Sequence, residues 1–170
     1  MADFTRKEIQ NIIAQHGWKF GGEKDTPETG IVLRGVDLSG VDLSDLYLKY
    51  ALLSRADLSN ADLSGAYMYG AYLSRTILAG ANLSRVDLRE ANLEGVNLHN
   101  SILHGADLRK TDLRGADLRG ADMREADLRK ARLSGADMQG VDMRGAKILA
   151  DTLGDPTSLK GATLPAATKK

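Results

Sequence analysis

The chain has 170 residues with 23 basic and 23 acidic side chains, no cysteine, and only two Phe and one Trp beside five Tyr. That length suits one domain with a sizeable core. Its balanced charge argues against a polyanion-seeking protein, and the missing cysteines exclude disulfides and thiolate metal sites. No run of 18 apolar residues is present to cross a membrane, and MADFTRKEIQ lacks the apolar stretch of a secretion signal, so a cytoplasmic location is expected. With so few large aromatics, a core has to be built from Leu, Val, Ala and Met.

Residues 1–30 read as a cap. Thr5 and Glu8 have the T-x-x-E spacing of a capping box, and Phe4 and Ile9 sit where a hydrophobic staple places its two residues. Ile9, Ile12 and Ile13 share one helical face, and Gly17 is a natural stop. The pattern predicts a short helix that covers one end of the core, with Trp18 and Phe20 adding apolar cover. The stretch GGEKDTPETG (21–30) is a loop by composition.

From Ile31 to Ala150 the chain divides without a break into 24 pentapeptides. The third place is Leu, Met or Ile in all 24; the first is Ala in 14 and Val in five; the second is Asp or Asn in 15; the fifth is Gly in 12. In extended backbone the first and third places point one way and the second and fourth the other. The small residue and the Leu therefore face a core, and Asp and the fourth residue face solvent. A turn is expected at the fifth place, where Gly or Asn tolerates positive φ. After Leu153 the register slips, and Leu159 and Leu164 come one residue late. Residues 154–170 are thus expected to form a partial closing coil, with a disordered tail from Pro165.

Segments such as ADLSNADLSGA (56–66) and ANLSRVDLREANLEG (81–95) resemble the pentapeptide repeat family. The resemblance implies an all-β solenoid, a right-handed quadrilateral β-helix in which four sides close a 20-residue coil. Residues 31–153 would then form about six coils, stacked about 4.8 Å apart into a rod of roughly 29 Å. Residues 1–30 would supply the N-terminal capping helix and loop.

In such a rod, residues 20 apart stack in columns. The five tyrosines gather: Tyr47 and Tyr67 share a column, Tyr69 lies beside Tyr67, Tyr50 takes the corner after Tyr47, and Tyr72 opens the next face. Val32, Leu52 and Tyr72 form a second column without an acid. Tyr suits surfaces that are dry at one end and wet at the other. The expected partner-binding residues are therefore Tyr47, Tyr50, Leu52, Tyr67, Tyr69 and Tyr72, unless residues 1–30 fold back over them. A secondary candidate is the column Arg89, Arg109 and Arg129, beside Asp87, Asp107 and Asp127 and edged by Lys110 and Lys130. Interleaved charges there keep a rod soluble, or alternatively read an anion. Ile77 and Ile102 also replace Asp or Asn, as single exposed apolar residues.

Nothing in the sequence points to catalysis. His99 and His104 lie on adjacent faces, two ligands where a closed zinc site wants four. The many fourth-place serines have no nearby His to activate them. The Asp columns sit on an outer wall with no evident pocket. No enzyme activity, metal or cofactor is expected. The predicted function is a non-enzymatic scaffold that binds a protein partner, with no nucleic acid or membrane, acting as a monomer. The family resemblance adds a second possibility, a DNA-mimicking rod that binds a type II topoisomerase (gyrase) and confers quinolone resistance. That needs a dense negative surface, yet the first three coils net −1 and the last three +1. Phe at the central place and a dimerising C-terminal helix, common in those members, are also absent from the pattern here.

Overall fold

The computed structural model describes residues 4–15, 30–148 and 159–166. Gly17, Trp18, Phe20, most of the 21–30 loop, Leu153 and the last four residues lie outside the described residues.

Helix α1 spans Arg6–Gln15. The Thr5 N–H and Oγ1 each donate to Glu8 Oε2 at 2.7 Å, closing the capping box. That pair of donors, the backbone one first, holds the Glu8 carboxyl below its usual range. Ile9 is fully buried in the core, and Phe4 and Ile12 pack against it. Arg6 ties the helix to the rod, through Asp42 Oδ1 at 2.6 Å and the Ser44 carbonyl at 2.9 Å.

From Val32 to Asp127 every second-place residue forms a parallel bridge with the residue 20 positions on, the last of these reaching Lys147. The backbone therefore winds through nearly six four-sided coils. Each side contributes one bridge residue rather than a longer strand, because the turn takes the fourth place as well as the fifth. Alternation thus runs for three residues only. First-place and third-place side chains fill the axis: Leu58, Leu78, Leu98 and Leu118 form one fully buried column on a single face. Where a first place is polar, as at Thr76 and Thr111, the hydroxyl donates to a carbonyl, that of Leu53 at 2.8 Å and Leu108 at 2.6 Å.

The five backbone N–H groups of a repeat have separate destinations. The first closes the turn (Ala61 to the Leu58 carbonyl, 3.1 Å), and the second reaches back one coil (Asp62 to Val41, 3.0 Å). The third and fifth reach forward (Leu63 to Asn82, 2.7 Å; Asn60 to Ala79, 3.0 Å). The fourth is taken by the side chain two residues before it. In all 15 repeats with Asp or Asn at the second place, its Oδ1 accepts the fourth-place N–H at 2.9–3.3 Å. The outward acids are thus structural acceptors that hold each corner, besides giving solubility.

The fifth place adopts positive φ whatever its residue: 11 non-glycine side chains sit there at φ 55–64°. Such a dihedral costs an L-residue about 1–2 kcal/mol. The bonds to neighbouring coils over-determine the corner and hold it there.

Near the C-terminus the pairing changes step. Asp142 bridges Thr163, 21 residues on, and the Gly140 and Met143 N–H groups donate to Lys160 at 3.0 Å and Thr163 at 2.8 Å. The segment around Lys160–Thr163 thus pairs with the last coil one residue later than the 20-residue step.

Candidate protein-interaction surface

The four faces are numbered from Ile31, so face one begins with 31–35 and face four with 46–50. The tyrosines meet on faces four and one. Tyr47 and Tyr67 stack through the coil bridge, with ring centroids 6.5 Å apart. Tyr50 and Tyr69 meet edge to face at 5.8 Å. The Tyr50 ring lies over Gly70, where an added Cβ would come within 2.5 Å of it, so the bare glycine makes its seat. Tyr72 bridges Leu52, which bridges Val32. Tyr67 and Tyr72 each keep 39% of their surface exposed, and Val32 keeps 66%. The described residues of α1 reach the rod through Asp42 and Ser44 on face three, away from this strip. Residues 16–29, the other proposed cover, lie outside the described residues.

Cations bracket the strip. Lys49 Nζ lies 5.2 Å from the Tyr50 ring and 5.6 Å from the Tyr69 ring, and the Arg89 guanidinium lies 5.7 Å from the Tyr69 ring. The Tyr69 hydroxyl donates to Glu90 Oε2 at 2.5 Å, and Lys110 holds Glu90 Oε1 at 2.7 Å. The bond to Glu90, with partial burial, pushes the Tyr69 phenol up to about 12. Lys110 first, then Tyr69, holds the Glu90 carboxyl below its usual range. In an alkaline titration followed at 295 nm, Tyr69 is expected to ionise late, at about pH 12. Glu90→Gln should return it towards an ordinary value of about 10, since a neutral acceptor does not oppose the phenolate. A wild-type curve that fits five ordinary tyrosines would contradict the arrangement.

Arg89, Arg109 and Arg129 form a ladder in which each guanidinium grips the Asp two residues before it. Arg109 Nε and Nη2 donate to the two oxygens of Asp107 at 2.8 and 2.6 Å. Arg89 reaches Asp87 at 2.8 and 2.7 Å, and Arg129 reaches Asp127 at 2.9 and 2.6 Å. The same fork recurs at Arg114, Arg119, Arg124 and Arg144. Its spread over all four faces makes it a repeat feature before it is a site. On face four, however, the ladder lines a groove of about 530 Å³ together with Tyr69, Glu90, Lys110 and Lys130. The outer wall therefore does carry a concavity, contrary to the sequence reading. It forms because Tyr69 and the long basic chains stand up along one corner. Tyr69 belongs to strip and groove alike, so the two candidates separated in sequence are one continuous surface.

His99 and His104 lie on faces two and three, on the far side of the rod. The Nδ1 atom of each is buried without a hydrogen-bond partner, and His104 Nε2 stands 3.9 Å from Glu125. Among the described residues no three His, Cys, Asp or Glu side chains group as metal ligands, and no helix is long and apolar enough to cross a membrane.

Comparison with known proteins bears on the fold. The chain matches the Pentapeptide repeats family in eight copies, over overlapping segments that run from residue 29 to 145. It is similar to the crystal structure of a pentapeptide repeat protein from the cyanobacterium Cyanothece 51142, at 22% identity and a TM-score of 0.52, covering 92% of this chain and 99% of that one. HetL of Nostoc sp. strain PCC 7120, a pentapeptide repeat protein involved in heterocyst differentiation regulation, matches at 29% identity, TM-score 0.34, over 81% and 86% of the two chains. QnrB1, a plasmid-mediated fluoroquinolone resistance protein, matches at 22% identity, TM-score 0.44, over 78% and 76%. No curated protein matches the sequence. With its five-residue register, its 20-residue bridges and a family match over most of its length, this chain is a member of the pentapeptide repeat family, whose solenoid fold it shares.

Proposed function

We propose that the protein is a non-enzymatic scaffold that docks a protein partner through the tyrosine-rich strip of faces four and one. The observation that carries this reading is the convergence of Tyr47, Tyr50, Tyr67, Tyr69 and Tyr72 on adjoining faces, with Tyr67 and Tyr72 exposed where most repeats present Asp or Asn. A stiff rod loses little conformational entropy on binding, and tyrosines give large contact area for few rotatable bonds. No cofactor, nucleic acid or membrane enters this reading, and the rod acts as a monomer in the cytoplasm.

The test compares crosslinked captures by the wild type and by Tyr67→Ser/Tyr72→Ser, after circular dichroism has matched their folds. A protein held by the wild type and lost by the variant is expected. Identical profiles would make the tyrosines structural. The alternative, a DNA-mimicking gyrase binder, predicts inhibition of DNA supercoiling by the purified protein. No inhibition is expected, because duplex DNA of roughly 29 Å carries about 17 charges and this rod nets zero.

A further inference from the structure

The balanced charge of the chain conceals a lateral asymmetry. Sorted by face, the repeats put 12 basic and six acidic residues on faces four and one, and four basic and ten acidic on faces two and three. One side of the rod therefore nets +6 and the other −6. Without the fifth-place residues at the two corners shared between the halves, the difference persists at +4 against −5.

A second asymmetry coincides with it. Nine second places lack the Asp or Asn that holds the corner, and seven of the nine lie on faces four and one. Each gives up an acceptor that the other 15 repeats all use. The corners that forgo it are thus concentrated on the same side as the basic excess. The substitutions are also ordered along the axis. Aromatic and aliphatic residues take the N-terminal coils, up to Tyr72, and basic ones, Arg132 and Lys147, take the last. Between them the groove carries Lys110 and Lys130. Glu90 neutralises Lys110, whereas Lys130 and Lys147 have no acidic partner among the described residues. The ladder arginines spend Nε and Nη2 on their own aspartates and are 40–48% exposed, which leaves a fixed outward edge of donors.

Building on the docking role proposed above, we infer that faces four and one form a two-zone cradle for an extended acidic segment of a partner protein. Its aromatic or aliphatic end lies on the tyrosines, and its Asp and Glu residues lie along Lys130 and Lys147. From Tyr47 to Lys147 is five coil steps, about 24 Å, or about seven residues of extended chain. Charge complementarity selects this occupant. A second copy in a two-fold pair would set positive against positive, and the acidic side, at −6, is too sparse to imitate duplex DNA.

The test selects 12-residue peptides from a random phage-display library on the immobilised full chain and measures the synthetic consensus peptide by fluorescence anisotropy. The consensus is expected to join Asp or Glu to aromatic or aliphatic residues. Its Kd should weaken about tenfold or more in Lys130→Glu/Lys147→Glu, in Tyr67→Ser and on raising salt. Asp117→Asn/Asp137→Asn, on the acidic side and with the corner acceptor kept, should leave it unchanged. Loss with Tyr67→Ser but not with the lysine variant would overturn the charged zone and leave the tyrosine docking reading intact. Binding indifferent to both variants, or no enrichment over blank beads, would overturn both. Salt-reversible self-association in sedimentation, abolished by the lysine variant, would assign the surface to a second copy and overturn the inference.

Discussion

Leu98→Ala should destabilise the rod by about 3–4 kcal/mol, a fall in Tm of about 10 °C for a chain of this size. Leu98 is fully buried at the third place of face two, with Leu78 below it and Leu118 above. Truncation leaves a void that the neighbouring layers cannot close, because their backbones are pinned by bonds to both flanking coils. The Leu98 N–H donates to Asp117 at 2.7 Å and the Leu78 N–H to Asn97 at 2.7 Å. The fitting contrast is Ile102→Ala, a similar loss of hydrocarbon at an outward place that is 42% exposed, expected to change stability by less than about 0.5 kcal/mol. Equal effects in thermal melts would mean that the axis is not close-packed.

The second large effect is expected in acid. The carboxyls of Asp112, Asp117, Asp122 and Asp127 are held below their ordinary range, chiefly by side-chain hydrogen bonds from the arginines two residues on, against partial burial. Asp37 and Asp42 are lowered by Ser39 and Ser44, hydroxyl first and backbone N–H second, and Asp142 by Arg144. At Asp107 burial pushes upward, and the combined bonds and charge of Arg109 outweigh it. A carboxyl lowered by folding stabilises the fold at every pH above its unfolded value near 4 and ceases to do so as pH falls through its folded value. Stability should thus be level from about pH 8 to 5 and fall steeply below about pH 4. The gradient should be additive over many coils, because each unit repeats the same chemistry. Asp→Asn at 117, 122 and 127 together should flatten the acid limb in urea titrations, since asparagine keeps the corner acceptor but does not titrate. An unchanged limb would place the pH sensitivity elsewhere. The arginine partners are exposed, so each fork contributes little alone at neutral pH.

The rotation of role at the second place was only partly legible beforehand. Asp–x–Ser and Asp–x–Arg carry a known local signal, a side-chain oxygen accepting the N–H two residues on. Read as outward charges alone, the same residues looked like solubility devices. The coil geometry gives the bond its place, because the fourth-place N–H is the one donor in a repeat that no neighbouring backbone takes, and in 15 repeats the Asp or Asn takes it. The groove was missed for a different reason. Alternation says which side chains point outward but not how far Tyr69 and the lysines stand off the wall, and that height makes the concavity. The continuity of strip and ladder was likewise hidden, because Tyr69 and Arg89 are 20 residues apart and touch only through the stacking of coils.

The five-residue period by itself settled which residues are buried, because chirality and alternation leave a three-residue side few other ways to hide Ala and Leu. It also settled where the corners fall and the capping-box spacing of Thr5 and Glu8. The tertiary structure alone decided what is held in common between coils. It brought α1 onto the rod through Ile9 and Arg6, and paired Asp142 with Thr163 across a 21-residue step. It joined tyrosines and basic residues on one side while the acids gathered on the other. Those relations depend on closure at 20 residues, a length fixed by four corners meeting in space and not by any single repeat.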